Sequence, residues 1–195
     1  LKRIRRSEPK ERLVLETVSA NLALYSPHTA LDAVPGGVND WLADGLGAGR
    51  RRTIEPASPG EAGAGAGQGR IVELETPTLL DDLLERIKRY LGLESLRVAV
   101  AGSHRRGERI SSIALCPGAG GSVITGVEAD LYLTGEMRHH DVLDAVARGT
   151  SVVLTEHSSS ERGYLPIYRE RLLALLPAGV SVDVSRADSE PLERR

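Results

Sequence analysis

Apolar residues recur along this chain with two periods, and the changes between them divide it into elements. From residue 110 onward three segments, 110–115, 130–134 and 151–155, are apolar runs or nearly so. Strands of that kind belong to a sheet covered on both faces. Between and after them lie segments with apolar residues at helical spacing. These are a short helix after "CPGAGGS", then "MRHHDVLDAVARG", ended by Gly149, then "SSERGYLPIYRERLLALLP", with a kink predicted near Pro166. "GVSVDVS" reads as a last strand. The order is strand, helix, strand, helix, strand, helix, strand, and predicts an α/β fold.

Upstream the pattern is less regular. Residues 8 to 20 read as a helix with Ser7 as N-cap and Pro9 in the first turn. "NLALYS" reads as a short strand ended by Pro27. "GGVNDWLADGLG" is a short helix with Val38, Trp41, Leu42 and Leu46 on one face and Gly47 as its stop. Residues 56 to 69 are Gly-, Ala- and Pro-rich, with no larger apolar side chain, and predict a flexible loop. The dinucleotide spacing G-x-G-x-x-G is not met there: Gly65 and Gly67 would need a glycine where Arg70 stands. "RIVEL" (70–74) is a strand. "TPTLLDDLLERIKRYLG" is an amphipathic helix with Thr78 as N-cap and Asp81 and Asp82 in its first turn, and "SLRVAVAG" is a strand.

Composition narrows the function classes. Hydrophobic residues are 41% of the 195, aromatics only 3%, and Phe is absent, so the core is aliphatic. Twenty-five basic against 27 acidic residues leave a net charge of −2, which argues against binding nucleic acid through overall charge. The clusters "LKRIRR", "GRRR" (49–52) and "ERR" read as solvated tails or loops. The single cysteine, Cys116, allows no disulfide within the chain and has no basic neighbour to activate it. No apolar run reaches the ~18 residues of a membrane helix, and no secretory signal is visible. Cytoplasm or nucleus is the expected location. The start at Leu1, already within a pattern, is that expected of a processed or partial chain.

In open α/β sheets ligands bind beyond the carboxyl ends of the strands. Those ends carry "CPGAGGS", "TGEMRHH" and "TEHSSSE". His157 and Glu161 stand four apart, one helical turn, with side chains that suit zinc, iron or manganese. His28 and Asp32 repeat the spacing in "YSPHTALD". Glu136, His139, His140 and Asp141 crowd a third segment. Each has a plainer alternative: a decorated helix start, a turn that bonds its own backbone, or acids compensating a helix dipole. The glycine turn after Cys116 suits an anion or is simply tight packing.

"LYSPHTALDAVPGGVNDWLADGLG", "CPGAGGSVI" and "ADLYLTGEMRHHDVLDAVARGTSVVLTEHSSSERGYL" resemble the NIF-three-like family, also known as GTP cyclohydrolase I type 2-like, and its eukaryotic branch in particular. The resemblance spans residues 12 to 190. It implies a single α/β domain, 1–195, with a mixed or parallel sheet, helices on both faces and a toroidal homohexamer built from dimers. It also implies up to two divalent ions (zinc, iron or manganese), with Asp32, His157 and Glu161 as ligands, Glu161 bridging, and His28 beside them. Glu136 and His140 match pocket residues that would move protons. A further family motif, "HHP" or "YHP", has no counterpart here, so the chain is expected to lack the family's N-terminal portion. Two functions follow: a metal-binding regulatory protein with a transcription-related partner, or a metal-dependent hydrolase of a nucleotide or related heterocycle. Nucleic acid and membrane are not expected partners.

Overall fold

The computed structural model describes residues 3–58, 64–188 and 190–192. Its strands are β1 (Gly49–Pro56), β2 (Gly67–Thr78), β3 (Arg97–Ala99), β4 (Ile110–Cys116), β5 (Leu131–Thr134) and β6 (Ser151–Leu154). They form one sheet in the order β1-β2-β4-β5-β6-β3. β4, β5 and β6 are parallel, while β1, β2 and β3 join antiparallel to their neighbours. The helices are α1 (Pro9–Ser19), α2 (Thr29–Ala33), α3 (Val38–Asp44), α4 (Leu80–Leu91), α5 (Gly102–Arg105), α6 (Gly121–Ile124), α7 (His139–Ala147) and α8 (Leu165–Leu175).

The two-residue period of the strands sorts the core into two layers. On one face Val72, Leu74, Ile113, Leu115, Leu131, Leu133 and Val153 meet Trp41 and Leu42 of α3 and Leu83 and Ile87 of α4. On the other Ile71, Ala114, Tyr132, Val152 and Leu154 meet Ile124 of α6 and Ala145 of α7. Apolar residues on both sides of β2, β4, β5 and β6 are what a doubly covered sheet requires. The ladder register brings the ends of the parallel strands together at Cys116, Thr134 and Leu154.

Several expectations are corrected. Residues 21–26 form no strand among the described residues, and Leu24 is 86% exposed. Their alternation needs a neighbouring strand that this segment does not find. "GVSVDVS" likewise forms no strand, its Val182 carbonyl accepting from Arg169 Nε instead. "GRRR" is not a loop: it opens the edge strand β1, where Arg50 pairs with Glu73 across the hairpin, and charge on an edge strand discourages further pairing. The predicted 56–69 loop shrinks to the hairpin tip, since Pro56 and Gly67 pair in the ladder. Its residues 59–63 lie outside the described residues. Thr78 closes β2 rather than capping α4, whose N-cap is Leu79. Pro166 produces no kink, because two 3₁₀ turns (Ser158–Ser160 and Arg162–Tyr164) precede α8 and place the proline in its first turn.

Candidate metal centre

Three loops at the carboxyl ends of the parallel strands are tied together by their backbones. The Gly118 carbonyl accepts from Glu136 N at 2.9 Å, and the Gly118 N–H donates to Ser160 Oγ at 2.7 Å. That hydroxyl donates onward to the His157 carbonyl at 2.7 Å. Ser160 is fully buried, so its two bonds replace water that cannot reach it. The strand ends thus hold the segments bearing Glu136, His157 and Glu161 in fixed relation.

His157 sits between two carboxylates. Its Nδ1 is 2.9 Å from Glu136 Oε1, and its Nε2 is 3.5 Å from Glu161 Oε1. The bare backbone of Gly118 lies beneath them. A Cβ at that position would fall 2.3 Å from Glu161 Oε1 and 3.1 Å from His157 Nε2, and the residue adopts φ +60°. Glycine is thus required twice, for space and for backbone conformation.

The other half comes from α2. His28, at φ +44°, precedes the helix, and Asp32 lies on it. Asn39 Nδ2 donates to the Asp32 carbonyl at 3.0 Å. Asp40 accepts from Gly36 N at 2.5 Å and is gripped by Arg70 Nε at 2.6 Å. Arg70, 2% exposed, gives its remaining hydrogen bonds to the Gly67 and Gly69 carbonyls. A buried arginine with every direction satisfied anchors α3, and through it the loop after Asp32, to β2.

Both halves line one cleft of about 520 Å³, which contains His28, Asp32, Cys116, His157, Glu161 and Asp188. Burial pushes the Asp32 carboxyl up, partly offset by the nearby His28 and His157. Burial also pushes Glu161 up, with His157 opposing and Asp32 adding to the rise. Each group is therefore close enough to feel the others' charge. Burial raises the Cys116 thiol to about 12, so it stays protonated and inert at neutral pH.

The donor chemistry fits a divalent ion. Two carboxylates and an imidazole are a usual set for zinc, iron or manganese. Ligand atoms on a tetrahedral ion with bonds of about 2.1 Å stand roughly 3.4 Å apart, close to the 3.5 Å between His157 Nε2 and Glu161 Oε1. Nδ1 held by a carboxylate is the usual device for presenting Nε2 to a metal. The shell is not drawn together, however. Among the described residues no three His, Cys, Asp or Glu side chains are already clustered to enclose an ion. His140 does not join this cleft: it is exposed on α7, its ring 5.8 Å from that of His139. Sequence reading also missed Gly118, Asn39 and Ser160 as supports, and the C-terminal acids. Asp188 pairs with Arg162, and Glu190 accepts from Ser158 N at 3.0 Å. Only the fold shows that Gly118 meets Ser160, Ser158 meets Glu190 and Arg162 meets Asp188, because these bonds cross long stretches of chain.

Comparisons with known proteins agree with this architecture. The family model for Duf34/NIF3 (NGG1p interacting factor 3) matches residues 1–191. Protein NIF3 homolog of Schizosaccharomyces pombe is 42% identical over 199 residues, covering 98% of this chain and 71% of that protein. NGG1-interacting factor 3 of Saccharomyces cerevisiae is 36% identical over 194 residues, covering 95% of this chain and 66% of that protein. The crystal structure of a Bacillus cereus protein related to NIF3 superposes with a TM-score of 0.80 at 18% identity, over 100% of this chain and 80% of that one, which is a likeness of fold. Among the described residues no helix is long and apolar enough to cross a membrane. On the match across nearly its whole length, the chain belongs to the Duf34/NIF3 family.

Proposed function

We propose that the chain is a divalent-metal-binding protein, with Asp32, His157 and Glu161 as ligands and His28 beside them. One juxtaposition carries the reading. His157 presents Nε2 to Glu161 Oε1 at 3.5 Å over the bare backbone of Gly118, in the cleft that Asp32 also lines. Glu136 fixes the imbalance of the ring: by holding Nδ1, it leaves Nε2 free to bind. Loading requires Asp32 to close on the other two, which neutralises carboxylates that burial makes costly to keep charged. Zinc, iron or manganese suits these donors, and a carboxylate with two oxygens, such as Glu161, can bridge a second ion.

The name of the Saccharomyces cerevisiae relative describes a factor that interacts with NGG1. Carried to this chain, it supports reading the metal-binding domain as a regulatory protein with a transcription-related partner; its place in cytoplasm or nucleus and its assembly as a homo-oligomer are part of the same proposal, from the family resemblance. A hydrolase acting on a nucleotide or related heterocycle is the second reading. The bond between Glu136 and His157 favours it: half-exposed and outside the residues that line the cleft, that carboxylate would exchange a proton with the imidazole at Nδ1. Bound there, a divalent ion would supply Lewis acidity.

Isothermal titration of metal-stripped protein with manganese or zinc separates the possibilities. At least one ion per chain is expected, with binding lost in Asp32→Asn and His157→Ala and kept in His140→Ala. Unchanged binding in both cleft variants would refute the assignment. On the hydrolase reading, Glu136→Gln abolishes nucleotide turnover while much of the metal content remains.

A further inference from the structure

We infer that Tyr164 is the positioning residue that holds the two halves of the candidate metal centre in register. The inference rests on the metal-binding reading above. Tyr164 follows Glu161 by one 3₁₀ turn, and Gly36 follows Asp32 by one tight loop. The Tyr164 hydroxyl donates to the Gly36 carbonyl at 3.1 Å, joining residues 128 apart in sequence. It is a direct hydrogen bond between the segment that carries Glu161 and the segment that carries Asp32.

The direction of that bond is fixed. Arg171 Nη1 lies 3.0 Å from the Tyr164 oxygen, and its guanidinium lies 5.8 Å from the ring centroid. A guanidinium only donates, so the phenol oxygen accepts from it and must turn its own proton to Gly36. Gly36 is constrained on its other side as well. Its N–H is spent on Asp40, and a Cβ there would fall 2.5 Å from Arg171 Nη2.

The ring is also immobile. Tyr164 is 1% exposed, its ring 6.5 Å from that of Trp41 and stacked at 6.3 Å on Tyr168. The adjacent Gly163 presses on the Trp41 indole so closely that a Cβ would approach it to 2.2 Å. A rigid phenol on the Glu161 side therefore sets where the Asp32 loop stands. On the metal-binding reading Asp32 must close on His157 and Glu161, and the distance over which it does so depends on this bond.

The test compares Tyr164→Phe with Tyr90→Phe. Tyr90 is a matched control: its hydroxyl donates to the Trp41 carbonyl at 2.7 Å and its ring packs 5.4 Å from the same indole, but it bonds neither cleft segment. Each variant loses one tyrosine-to-backbone bond and keeps its ring; Tyr164→Phe also loses the bond from Arg171, which Arg171→Met removes by itself. Metal-stripped protein is titrated with cobalt(II), with affinity read by calorimetry and ligand geometry by the visible absorption of the ion. Tyr164→Phe is expected to weaken cobalt affinity about tenfold, in the range of supporting residues around metal sites, and to change the absorption spectrum. Tyr90→Phe is expected to change neither, even if both variants melt at the same lowered temperature. Arg171→Met, at an exposed position, is expected to weaken affinity by a smaller factor and serves if Tyr164→Phe fails to fold. Wild-type affinity and spectrum in both Tyr164→Phe and Arg171→Met would overturn the inference while leaving the metal site standing. Absence of cobalt binding by the wild-type protein would overturn the metal reading, and this inference with it.

Discussion

At the scale of single residues, the candidate centre depends on what Gly118 lacks. Its φ of +60° and the 2.3 Å separation a Cβ would have from Glu161 Oε1 predict that Gly118→Ala destabilises the chain by about 1–2 kcal/mol from backbone strain alone. It should also displace the Glu161 carboxylate and weaken manganese binding. Chemical denaturation and calorimetry check the two effects separately, and an alanine variant with unaltered stability and affinity would contradict the geometry. Glu136 has a different role, because it touches the nitrogen that faces away from Glu161. Glu136→Gln is therefore expected to weaken metal binding by about tenfold rather than abolish it. Cys116 should resist thiol reagents at pH 8 in the folded protein, given a thiol raised to about 12; rapid modification without denaturant would contradict its burial.

At the scale of elements, the contact between α3 and β2 holds the Asp32 loop in place. Arg70 is buried, and Asp40 faces it at 2.6 Å. Burial alone would raise the Asp40 carboxyl, but the hydrogen bond from Arg70, that from Gly36 and the charges of Arg70 and Arg51 outweigh it and hold the group below its ordinary value. As pH falls, the unfolded chain takes up this proton first, at about pH 4. The pair's stabilisation is thus complete above about pH 4 and disappears as pH falls through the depressed value in the folded chain. Asp40→Asn should cost about 3 kcal/mol at pH 7, since it strands a buried arginine, and should flatten the loss of stability on acidification below about pH 4. Urea denaturation across pH 3 to 7 provides the comparison, and parallel curves for the two proteins would rule the pair out as the source. Element type was legible where a run was long and its period clean, as in α4, α7 and the three parallel strands. It was not legible in β1, whose arginines look like a loop until the hairpin partner Glu73 is seen. Residues 21–26 and "GVSVDVS" have the alternation of strands but no partner among the described residues, and pairing is not written in a strand's own sequence.

At the scale of the whole molecule, the fold converts remote sequence positions into neighbours. The rule that sites form beyond the carboxyl ends of parallel strands placed Glu136, His157 and Glu161 together in advance. The spacing of His28 and Asp32 offered a second pair and the family resemblance joined it to His157 and Glu161; the structure puts Asp32 in the cleft those two line through contacts of α2 and α3. His140 shows the limit of proximity in sequence: four positions from Glu136, it is turned to solvent on α7. Side-chain direction is set by where the helix begins, and α7 begins at His139. Assembly belongs to this scale too. Leu13, Val18, Leu22 and Tyr25 are each more than half exposed, and light scattering on the purified protein is expected to give a mass above the 20.9 kDa of one chain. A strictly monomeric solution would contradict the proposed homo-oligomer. The most direct measurement on the centre itself is anomalous X-ray diffraction from crystals grown with manganese. A peak bounded by the carboxylates of Asp32 and Glu161 and by Nε2 of His157 is the predicted result; well-ordered side chains at all three positions with no anomalous density between them would contradict it.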